Sequence, residues 1–328
     1  MAIKVAVIGT GNMGRHHARV YSNIKDAELV GVADINEKQG KEIARENCCK
    51  YYKNYKDLIS NESPNAISIC VPTSLHSKIA TETLKSKIHT LVEKPIASTL
   101  EEAQKLVYLA KENNVKLMVG HIERFNPAVQ KLKEIVKKGS LGDITSILAR
   151  RVGLFPPQIK DTNVVIDLAV HDIDIFNYIL EKDPTEIFSS SGKAIHDTKE
   201  DYSDIFLKYG QTNCVIEVNW ITPVKIRTLS VTGTGGYAEL NYITQDLTVY
   251  GTQYEKTHNS FGEFVLKFGT PKKQDIDVKK AEPLNVELEH FINCIKQNKN
   301  PLSTGEDAIK ALSIALRIVN CRNNCCKT

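Results

Sequence analysis

Long hydrophobic runs are absent from this sequence of 328 residues. No segment approaches the roughly eighteen consecutive apolar residues that a transmembrane helix needs. The first residues, from Met1 to Lys4, also lack a charged region followed by a long apolar segment. We therefore predict neither a membrane span nor a secretory signal, and we expect a cytoplasmic protein.

A strong charge bias is missing as well. The chain has 43 Lys and Arg against 39 Asp and Glu, a formal net charge of +4, and no basic run. Binding to nucleic acid or to a membrane surface therefore has little support. Hydrophobic residues make up 41% of the sequence and charged residues 25%, as in ordinary soluble globular proteins, and the length suits two domains.

Cysteine pairs with the spacing of a zinc site are also absent. The eight cysteines include Cys48-Cys49 and the group Cys321, Cys325 and Cys326, none of them in C-x-x-C spacing. In a chain of this length without a secretory signal, we expect reduced thiols and no metal site.

Strand and helix patterns alternate over about the first 120 residues. Short aliphatic and β-branched runs predict buried strands, and the longer segments between them predict helices. That alternation is typical of crossover units, with a parallel sheet covered by helices on both faces. The predicted strands are Ile3–Ile8, Glu28–Ala33, Ala66–Cys70, Thr90–Val92 and Lys116–Val119.

From about Asp143 the pattern becomes that of a largely antiparallel sheet. A predicted helix over Asp167–Leu180 precedes the strands, two helices follow at Leu284–Gln297 and Gly305–Asn320, and no element is predicted between Tyr254 and Pro283. The predicted strands are Glu186–Gly192, Tyr202–Lys208, Cys214–Trp220, Arg227–Thr232, Gly236–Asn241 and Leu247–Tyr250.

These patterns predict a fold class of α/β plus α+β. Residues 1–121 would form a Rossmann domain with a doubly wound parallel sheet. Residues 122–328 would form a substrate-binding and oligomerisation domain around an open, largely antiparallel sheet, with C-terminal helices able to pack back on the first domain.

A glycine motif follows the first predicted strand. The residues Gly9-Thr10-Gly11-Asn12-Met13-Gly14 form a G-x-G-x-x-G that opens a helix. Such glycines allow a tight turn, a close approach of backbone to a pyrophosphate and close packing of helix on strand. A turn whose glycines serve packing only is the alternative. The preceding strand, and Asp34 twenty residues past Gly14, favour a dinucleotide site.

Asp34 also bears on which dinucleotide binds. A carboxylate at the end of the second strand accepts the ribose hydroxyls of NAD and repels the 2′-phosphate of NADP. No arginine stands among residues 35–38, although Lys38 does. We therefore predict NAD as the cofactor.

The predicted helix over residues 167–180 carries one polar stripe. Asp167, His171, Asp174 and Tyr178 are spaced i, i+4, i+7 and i+11, and most other positions are apolar. A histidine one turn after a carboxylate has the arrangement of a general base, since its unperturbed pKa of about 6.5 suits proton transfer near neutral pH. A core histidine bonded to an aspartate is the alternative.

The segment Leu91-Val-Glu93-Lys94-Pro95 places two opposite charges at the end of a buried strand. In parallel sheets, ligands bind at this carboxyl edge, so Lys94 can stabilise an oxygen that loses its proton. A solvated ion pair at the strand end is the alternative. Two further polar loops, Val71–His76 and Gly120–Pro127, follow neighbouring strands and indicate a site at this edge.

The neighbouring His16 and His17 suggest a metal site at first sight. Adjacent helical residues point about 100° apart, so we predict surface residues in the first turn instead.

The glycine motif, the sequence "EKP" and the sequence "DLAVHDID" together resemble the glucose-fructose oxidoreductase / inositol dehydrogenase / rhizopine catabolism (Gfo/Idh/MocA) family over essentially the whole chain. The resemblance implies that Lys94 and His171 are the catalytic pair and that Asp167 is a third catalytic residue. It also implies homodimers or homotetramers that form through the second sheet. The residues that it implies beside the nicotinamide ribose are Pro72, Thr73, His76 and Glu93.

The stretch "GHIERFNPAV" resembles, more particularly, members that oxidise the 3-hydroxyl of UDP-N-acetylglucosamine. In such members Arg124 would bind cofactor and substrate and Asn126 would bind substrate, alongside Lys94, Asp167 and His171. The expected reaction is hydride transfer to NAD, with His171 as acid/base and Lys94 at the oxyanion.

Three alternatives stay open. A dehydrogenase of a free sugar or an inositol-type polyol would share every catalytic residue. A non-catalytic NAD-binding regulator would have little need of Lys94, Asp167 and His171 together. An assembly protein built on the second sheet alone is remote, because the glycine motif is intact.

Overall fold

The computed structural model describes residues 2–154, 162–195, 197–252, 254–258, 264–268, 272–320 and 325–327. The chain divides into two compact units: Met1–Phe125 with Ala281–Ile314, and Asn126–Lys280 with Ala315–Thr328. Among the described residues, no helix combines the length and the apolar character needed to cross a membrane.

The first unit is built on a six-stranded sheet in which every pairing is parallel. Its order, β3-β2-β1-β4-β5-β6, is that of a Rossmann fold, which confirms the predicted doubly wound sheet. The predicted strand Thr90–Val92 stands fourth among the strands predicted for this unit but is the fifth in the structure, because the prediction lacks the short edge strand β3. The strands are β1 (Ile3–Ile8), β2 (Ala27–Ala33), β3 (Lys50–Tyr52), β4 (Ala66–Ile69), β5 (His89–Glu93) and β6 (Leu117–Gly120).

Helices connect these strands and return after the second unit. Apolar side chains of β1, β5 and α8 share one core cluster, which includes Val5, Leu91 and Phe291. A 3₁₀ turn, Ile122–Phe125, follows β6, and α9 has residues in both units. The helices are α1 (Asn12–Tyr21), α2 (Glu37–Glu46), α3 (Tyr55–Glu62), α4 (Thr73–Lys85), α5 (Leu100–Glu112), α8 (Pro283–Gln297) and α9 (Gly305–Asn320).

The second unit contains a nine-stranded sheet with the order β16-β13-β12-β11-β7-β10-β9-β8-β17. All its pairings are antiparallel except that of β7 with β10, so the predicted open, largely antiparallel sheet is confirmed. Buried residues alternate with more exposed ones along β9 and β10, as in a sheet with one covered face. The strands are β7 (Ile144–Val152), β8 (Glu186–Gly192), β9 (Tyr202–Tyr209), β10 (Thr212–Asn219), β11 (Ile226–Gly233), β12 (Gly236–Asn241), β13 (Asp246–Gly251), β16 (Lys272–Asp275) and β17 (Cys325–Lys327).

The remaining elements of the second unit include two helices, α6 (Pro127–Lys137) and α7 (Val170–Leu180). A separate hairpin, β14 (Tyr254–His258) with β15 (Phe264–Phe268), lies in the segment for which the sequence predicts no element. Cys321 and residues 259–263 lie outside the described residues.

Strand β7 occupies the middle of the second sheet, although the sequence pattern does not predict it. It ends Arg150-Arg151-Val152, and the side chain of Arg151 is 5% exposed. The Arg151 guanidinium donates to both oxygens of Asp172 on α7, with Nε to Oδ2 at 2.7 Å and Nη2 to Oδ1 at 3.0 Å. It also lies 4.8 Å from the centre of the Tyr242 ring. This pair fixes α7 on the sheet.

Breaking this buried ion pair is expected to destabilise the second unit strongly. Asp172→Asn leaves the Arg151 charge buried without a full counter-charge, at a cost of roughly 3–5 kcal/mol in the free energy of unfolding. The pair of Lys131 and Glu134 on α6 provides a control in the same unit, because both side chains are more than one-third exposed. Glu134→Gln should change the free energy of unfolding by less than about 1 kcal/mol. Denaturant unfolding monitored through Trp220 measures both, and equal effects would contradict the prediction.

Candidate active site

The glycine motif forms the turn between β1 and α1. Gly9 has a φ of +87°, and a Cβ there would lie 2.6 Å from the carbonyl oxygen of Cys70. A Cβ on Gly14 would lie 1.8 Å from the carbonyl oxygen of Gly9. At Gly11, by contrast, no heavy atom of the described residues lies within 4 Å of a Cβ outside its immediate neighbours. Gly9 and Gly14 are therefore needed for the turn itself, whereas Gly11 leaves space that a pyrophosphate can occupy.

The start of α1 leaves backbone N–H groups available for that pyrophosphate. Gly11 is the N-cap residue, and no side chain caps the helix. Helices α2 and α5, in contrast, begin with bonds from a backbone N–H to the side chains of Asn36 and Thr99. The first N–H groups of a helix and its dipole favour an anion, so this end of α1 fits a dinucleotide phosphate. Thr10 is fully buried, Met13 is half-buried and Asn12 is exposed.

Asp34 directly follows β2 and lies beside the glycine turn. Its Oδ2 accepts hydrogen bonds from the Thr10 backbone N–H at 2.6 Å and the Thr10 hydroxyl at 2.8 Å. Its Oδ1 accepts from the backbone N–H of Asn36 at 2.7 Å. These bonds hold the carboxylate where the fold binds the adenosine ribose. The residues of this domain therefore fit NAD.

Two of the predicted edge loops are joined by His76. Pro72 is the N-cap residue of α4, Thr73 begins that helix, and His76 in its first turn is 1% exposed. One ring nitrogen of His76 lies 2.8 Å from the carbonyl oxygen of Pro95 and the other lies 2.8 Å from that of Val71. The loops after β4 and β5 are therefore brought together at the carboxyl edge of the sheet, as predicted from the sequence.

Glu93 and Lys94 stand at the end of β5, before a cis peptide bond to Pro95. Glu93 is 7% exposed, and its Oε1 lies 2.9 Å from Nε2 of His17. Its Oε2 accepts from the backbone N–H of Lys94 at 3.3 Å. Burial by itself would raise the pKa of Glu93, but the hydrogen bond and charge of His17, with the charge of Lys94, hold it below its usual value. Glu93 is thus a buried anion beside the half-buried Lys94.

The prediction that His17 is a surface residue is wrong, since its side chain is fully buried. The buried positions of α1 include Gly14, His17, Ala18 and Tyr21, which follow the i, i+3, i+4, i+7 pattern of a helix face. That pattern was available in the sequence, and it would have placed His17 against the sheet. His16 is half-buried.

The loop after β6 is held by bonds within the protein. Arg124 is 4% exposed, and its Nη1 donates to the carbonyl oxygen of Leu302 at 2.9 Å and lies 3.1 Å from Oδ2 of Asp307. Burial opposes ionisation of Asp307, yet the Arg124 charge holds the pKa of that carboxyl below its usual value. Asn126 is 1% exposed, caps α6 through Ala128 N–H and donates from Nδ2 to the carbonyl oxygen of Tyr242 at 3.0 Å.

The polar stripe of the second unit lies on two helical segments instead of one α-helix. Val165–Ala169 is π-helical, and α7 begins at Val170. Asp167 lies in the π turn and His171 in the first turn of α7, and both are half-buried, as is Tyr178. Asp174 is 1% exposed and so belongs to the interior. Single π turns are frequent at functional sites, which is consistent with the predicted functional role of Asp167 and His171.

A Rossmann sheet with this glycine turn and with a carboxylate after β2 defines the cofactor domain of an NAD-dependent oxidoreductase. The protein is a dehydrogenase that acts on CH–OH groups. Comparison with protein-family models identifies the family. Residues 3–121 match the model described as "Oxidoreductase family, NAD-binding Rossmann fold", and residues 129–239 match the GFO/IDH/MocA C-terminal domain. The chain belongs to the Gfo/Idh/MocA family, and its cofactor is NAD.

Two relatives match nearly the full length of the chain. A UDP-N-acetylglucosamine 3-dehydrogenase of Acidithiobacillus ferrooxidans is 28% identical over 96% of both chains. A crystal structure of that enzyme superposes with a TM-score of 0.85 over 98% of both chains, at 26% identity. A scyllo-inositol 2-dehydrogenase (NAD(+)) of Bacillus subtilis is 25% identical over 98% of this chain and 94% of the relative.

The glycine turn predicts a contrast between two substitutions. Gly11→Ala adds a methyl group to open space, so it should change the free energy of unfolding by less than about 1 kcal/mol while weakening NAD binding at least about tenfold. Gly14→Ala should destabilise the first unit, because its Cβ would overlap the Gly9 carbonyl oxygen. Calorimetric NAD titration and thermal unfolding of both variants test this. Unchanged NAD affinity in Gly11→Ala would argue against a pyrophosphate at this turn.

Proposed function

We propose that the protein oxidises the 3-hydroxyl of UDP-N-acetylglucosamine to the 3-keto sugar, with NAD as the oxidant. The observation that carries the proposal is the match, over 96% of both chains, to a relative named for this reaction. The stretch from Gly120 to Val129, which resembles such enzymes, supports the same substrate.

In this reaction His171 acts as the general base. It takes the hydroxyl proton at a ring nitrogen, and Asp167, one turn earlier, stabilises the resulting imidazolium. The pKa of an unperturbed imidazole, about 6.5, allows it to accept and return a proton near neutral pH. NAD supplies the acceptor for the hydride when it is bound.

Lys94 acts on the charge that develops as the proton leaves. Its ammonium group stabilises the oxyanion, a contribution that in enzymes is often larger than that of proton transfer. The carboxyl edge of β5 is where parallel sheets of this type bind ligands, which supports this role. Pro72, Thr73, His76 and Glu93 are the proposed residues of the nicotinamide-ribose site.

Arg124 and Asn126 are the proposed residues that set substrate preference. Both are nearly fully buried and held by intramolecular hydrogen bonds. We therefore assign them a share in fixing the loop after β6, which positions its backbone for the sugar nucleotide.

Turnover is expected with UDP-N-acetylglucosamine and not with UDP-glucose, glucose or myo-inositol. Reduced-nicotinamide absorbance measures it. His171→Ala and Lys94→Ala should each lower kcat by about 10²–10⁴-fold while NAD affinity is retained. Lys85→Ala, at an exposed position of the same unit, is the control and should behave as wild type.

Full activity of either catalytic variant would reject the corresponding role. Turnover of myo-inositol in place of the nucleotide sugar would reject the substrate and favour the second candidate, a polyol dehydrogenase like the scyllo-inositol relative. NAD binding without turnover of any of these substrates would favour a regulator.

We also propose that the protein forms a homodimer or homotetramer through the second sheet. Leu148 on β7 is paired directly with Val215 on the neighbouring strand β10, and the two residues are 50% and 36% exposed. The charged pair of Arg150 and Glu217 lies on the same face, two residues further along the same strands. Light scattering after size exclusion is expected to give the mass of two or four chains. Leu148→Asp should shift it to one chain, whereas a monomeric wild type would reject the proposal.

A further inference from the structure

His17 on α1, Glu93 at the end of β5 and Glu287 on α8 form a buried cluster, and Glu93 is next to Lys94 in the sequence. One side-chain nitrogen or oxygen from each residue lies within 4.8 Å of the others. His17 and Glu287 are 0% exposed, and Glu93 is 7% exposed. All three residues belong to the first unit.

Glu287 differs from the other two members in having no bonded partner. Neither of its carboxyl oxygens has a hydrogen-bond partner among the described residues, and the same holds for Nδ1 of His17. Glu93, in contrast, contacts His17 and the backbone of Lys94. An ionised carboxylate without a partner in a dry interior costs several kcal/mol. Something must therefore neutralise Glu287.

A proton and a divalent cation are the two candidates, and the geometry favours the proton. Metal-bound histidines generally donate their second ring N–H to an acceptor, and Nδ1 of His17 has no such partner among the described residues. Three protein ligands also fall short of the four that closed structural sites use. A proton on Glu287 needs no further ligand, and it leaves Glu93 as the single anion of the cluster.

We propose that Glu287 is a neutral carboxylic acid in the folded protein and that His17 is a positioning residue, which keeps the Glu93 carboxylate ionised and fixed beside Lys94. The positioning half rests on the proposed role of Lys94, whereas the protonation half does not. Space for the Glu93 carboxyl is built into the sheet. Gly120 is its partner on β6, and a Cβ there would lie 3.0 Å from Cδ of Glu93.

The surroundings of Glu287 agree with a neutral acid. Burial and the Glu93 charge raise the pKa of Glu287 well above its usual value. Burial also raises the pKa of the neighbouring Tyr21 and Cys70, so both side chains are uncharged near pH 7. The elements around Glu287 carry the following titratable or charged groups: Arg15, His16, His17, Arg19 and Tyr21 on α1, Cys70 after β4, Glu93 and Lys94 at the end of β5, Glu123 and Arg124 in the 3₁₀ turn, and Glu282, Glu289, His290, Cys294 and Lys296 on or beside α8.

Spectroscopy and stability test the protonation without any substrate. Infrared spectra of the wild type at pH 7 should contain the carbonyl band of a protonated carboxylic acid, which Glu287→Gln lacks. Glu289→Gln is the matched control, because Glu289 is exposed two residues further along the same helix, and it should keep the band.

The pH dependence of stability provides the second readout. A glutamate in the unfolded chain releases its proton at about pH 4.3, whereas folded Glu287 keeps its proton to higher pH. Between those two pKa values the folded protein binds more protons, so its stability falls as pH rises. The ratio of folded to unfolded wild type, relative to that of Glu287→Gln, should therefore drop about tenfold per pH unit across that window.

Kinetics test the positioning role. His17→Leu removes the hydrogen bond to Glu93 and should lower kcat at least about tenfold, whereas His17→Gln keeps a hydrogen-bond donor and should lower kcat less. Glu287→Gln keeps a neutral group of the same shape and should retain kcat near that of the wild type. Wild-type kcat in His17→Leu would reject the positioning role. An absent acid band with parallel stability curves would reject the protonation, and so would a stoichiometric divalent metal that Glu287→Gln loses. If no tested sugar is turned over but the band is present, the proposed function fails and the protonation of Glu287 stands.

Discussion

A charge that leaves water during folding costs several kcal/mol unless a counter-charge or a proton compensates it. The elements of this protein that carry candidate functional residues are fixed by such compensation. Asp172, next to His171, is bonded to Arg151, and Glu93, next to Lys94, contacts His17. The first pair joins β7 to α7 across 21 residues of sequence and the second joins α1 to β5 across 76 residues, so the residue beside each pair has a defined position.

The parallel sheet of the first unit adds a second constraint. Because all six strands run in one direction, the loops that follow β1, β2, β4, β5 and β6 emerge at one edge. The glycine turn, Asp34, the start of α4 and Lys94 follow four of those strands. The ring of His76, between the Pro95 and Val71 carbonyl oxygens, links two of these loops directly. Cofactor binding and the proposed oxyanion site thus share one scaffold.

Periodicity and local motifs predicted much of this arrangement. Five of the six strands of the first sheet, the glycine turn and Asp34 can be read from the sequence, since each depends on residues close together in the chain. Strand β7 could not be read in this way. Its Arg150-Arg151 pair interrupts the apolar pattern, and the burial of Arg151 depends on Asp172, which belongs to another element. The π turn that holds Asp167 also lies within a segment whose apolar pattern is that of an α-helix.

The sequence by itself determined the fold class, the NAD motif and the family, because these depend on periodicity and on residues at short spacing. Only the tertiary structure decided which buried polar residues meet. His17 and Glu287 are separated by most of the chain, and although the helix-face pattern of α1 indicates that His17 is buried, no local signal indicates that the two residues come together. Their environment exists only once α1, β5 and α8 have packed into the core cluster that they share in the first unit. Desolvation, a property of the folded interior, is what turns these ordinary side chains into a cluster beside Lys94.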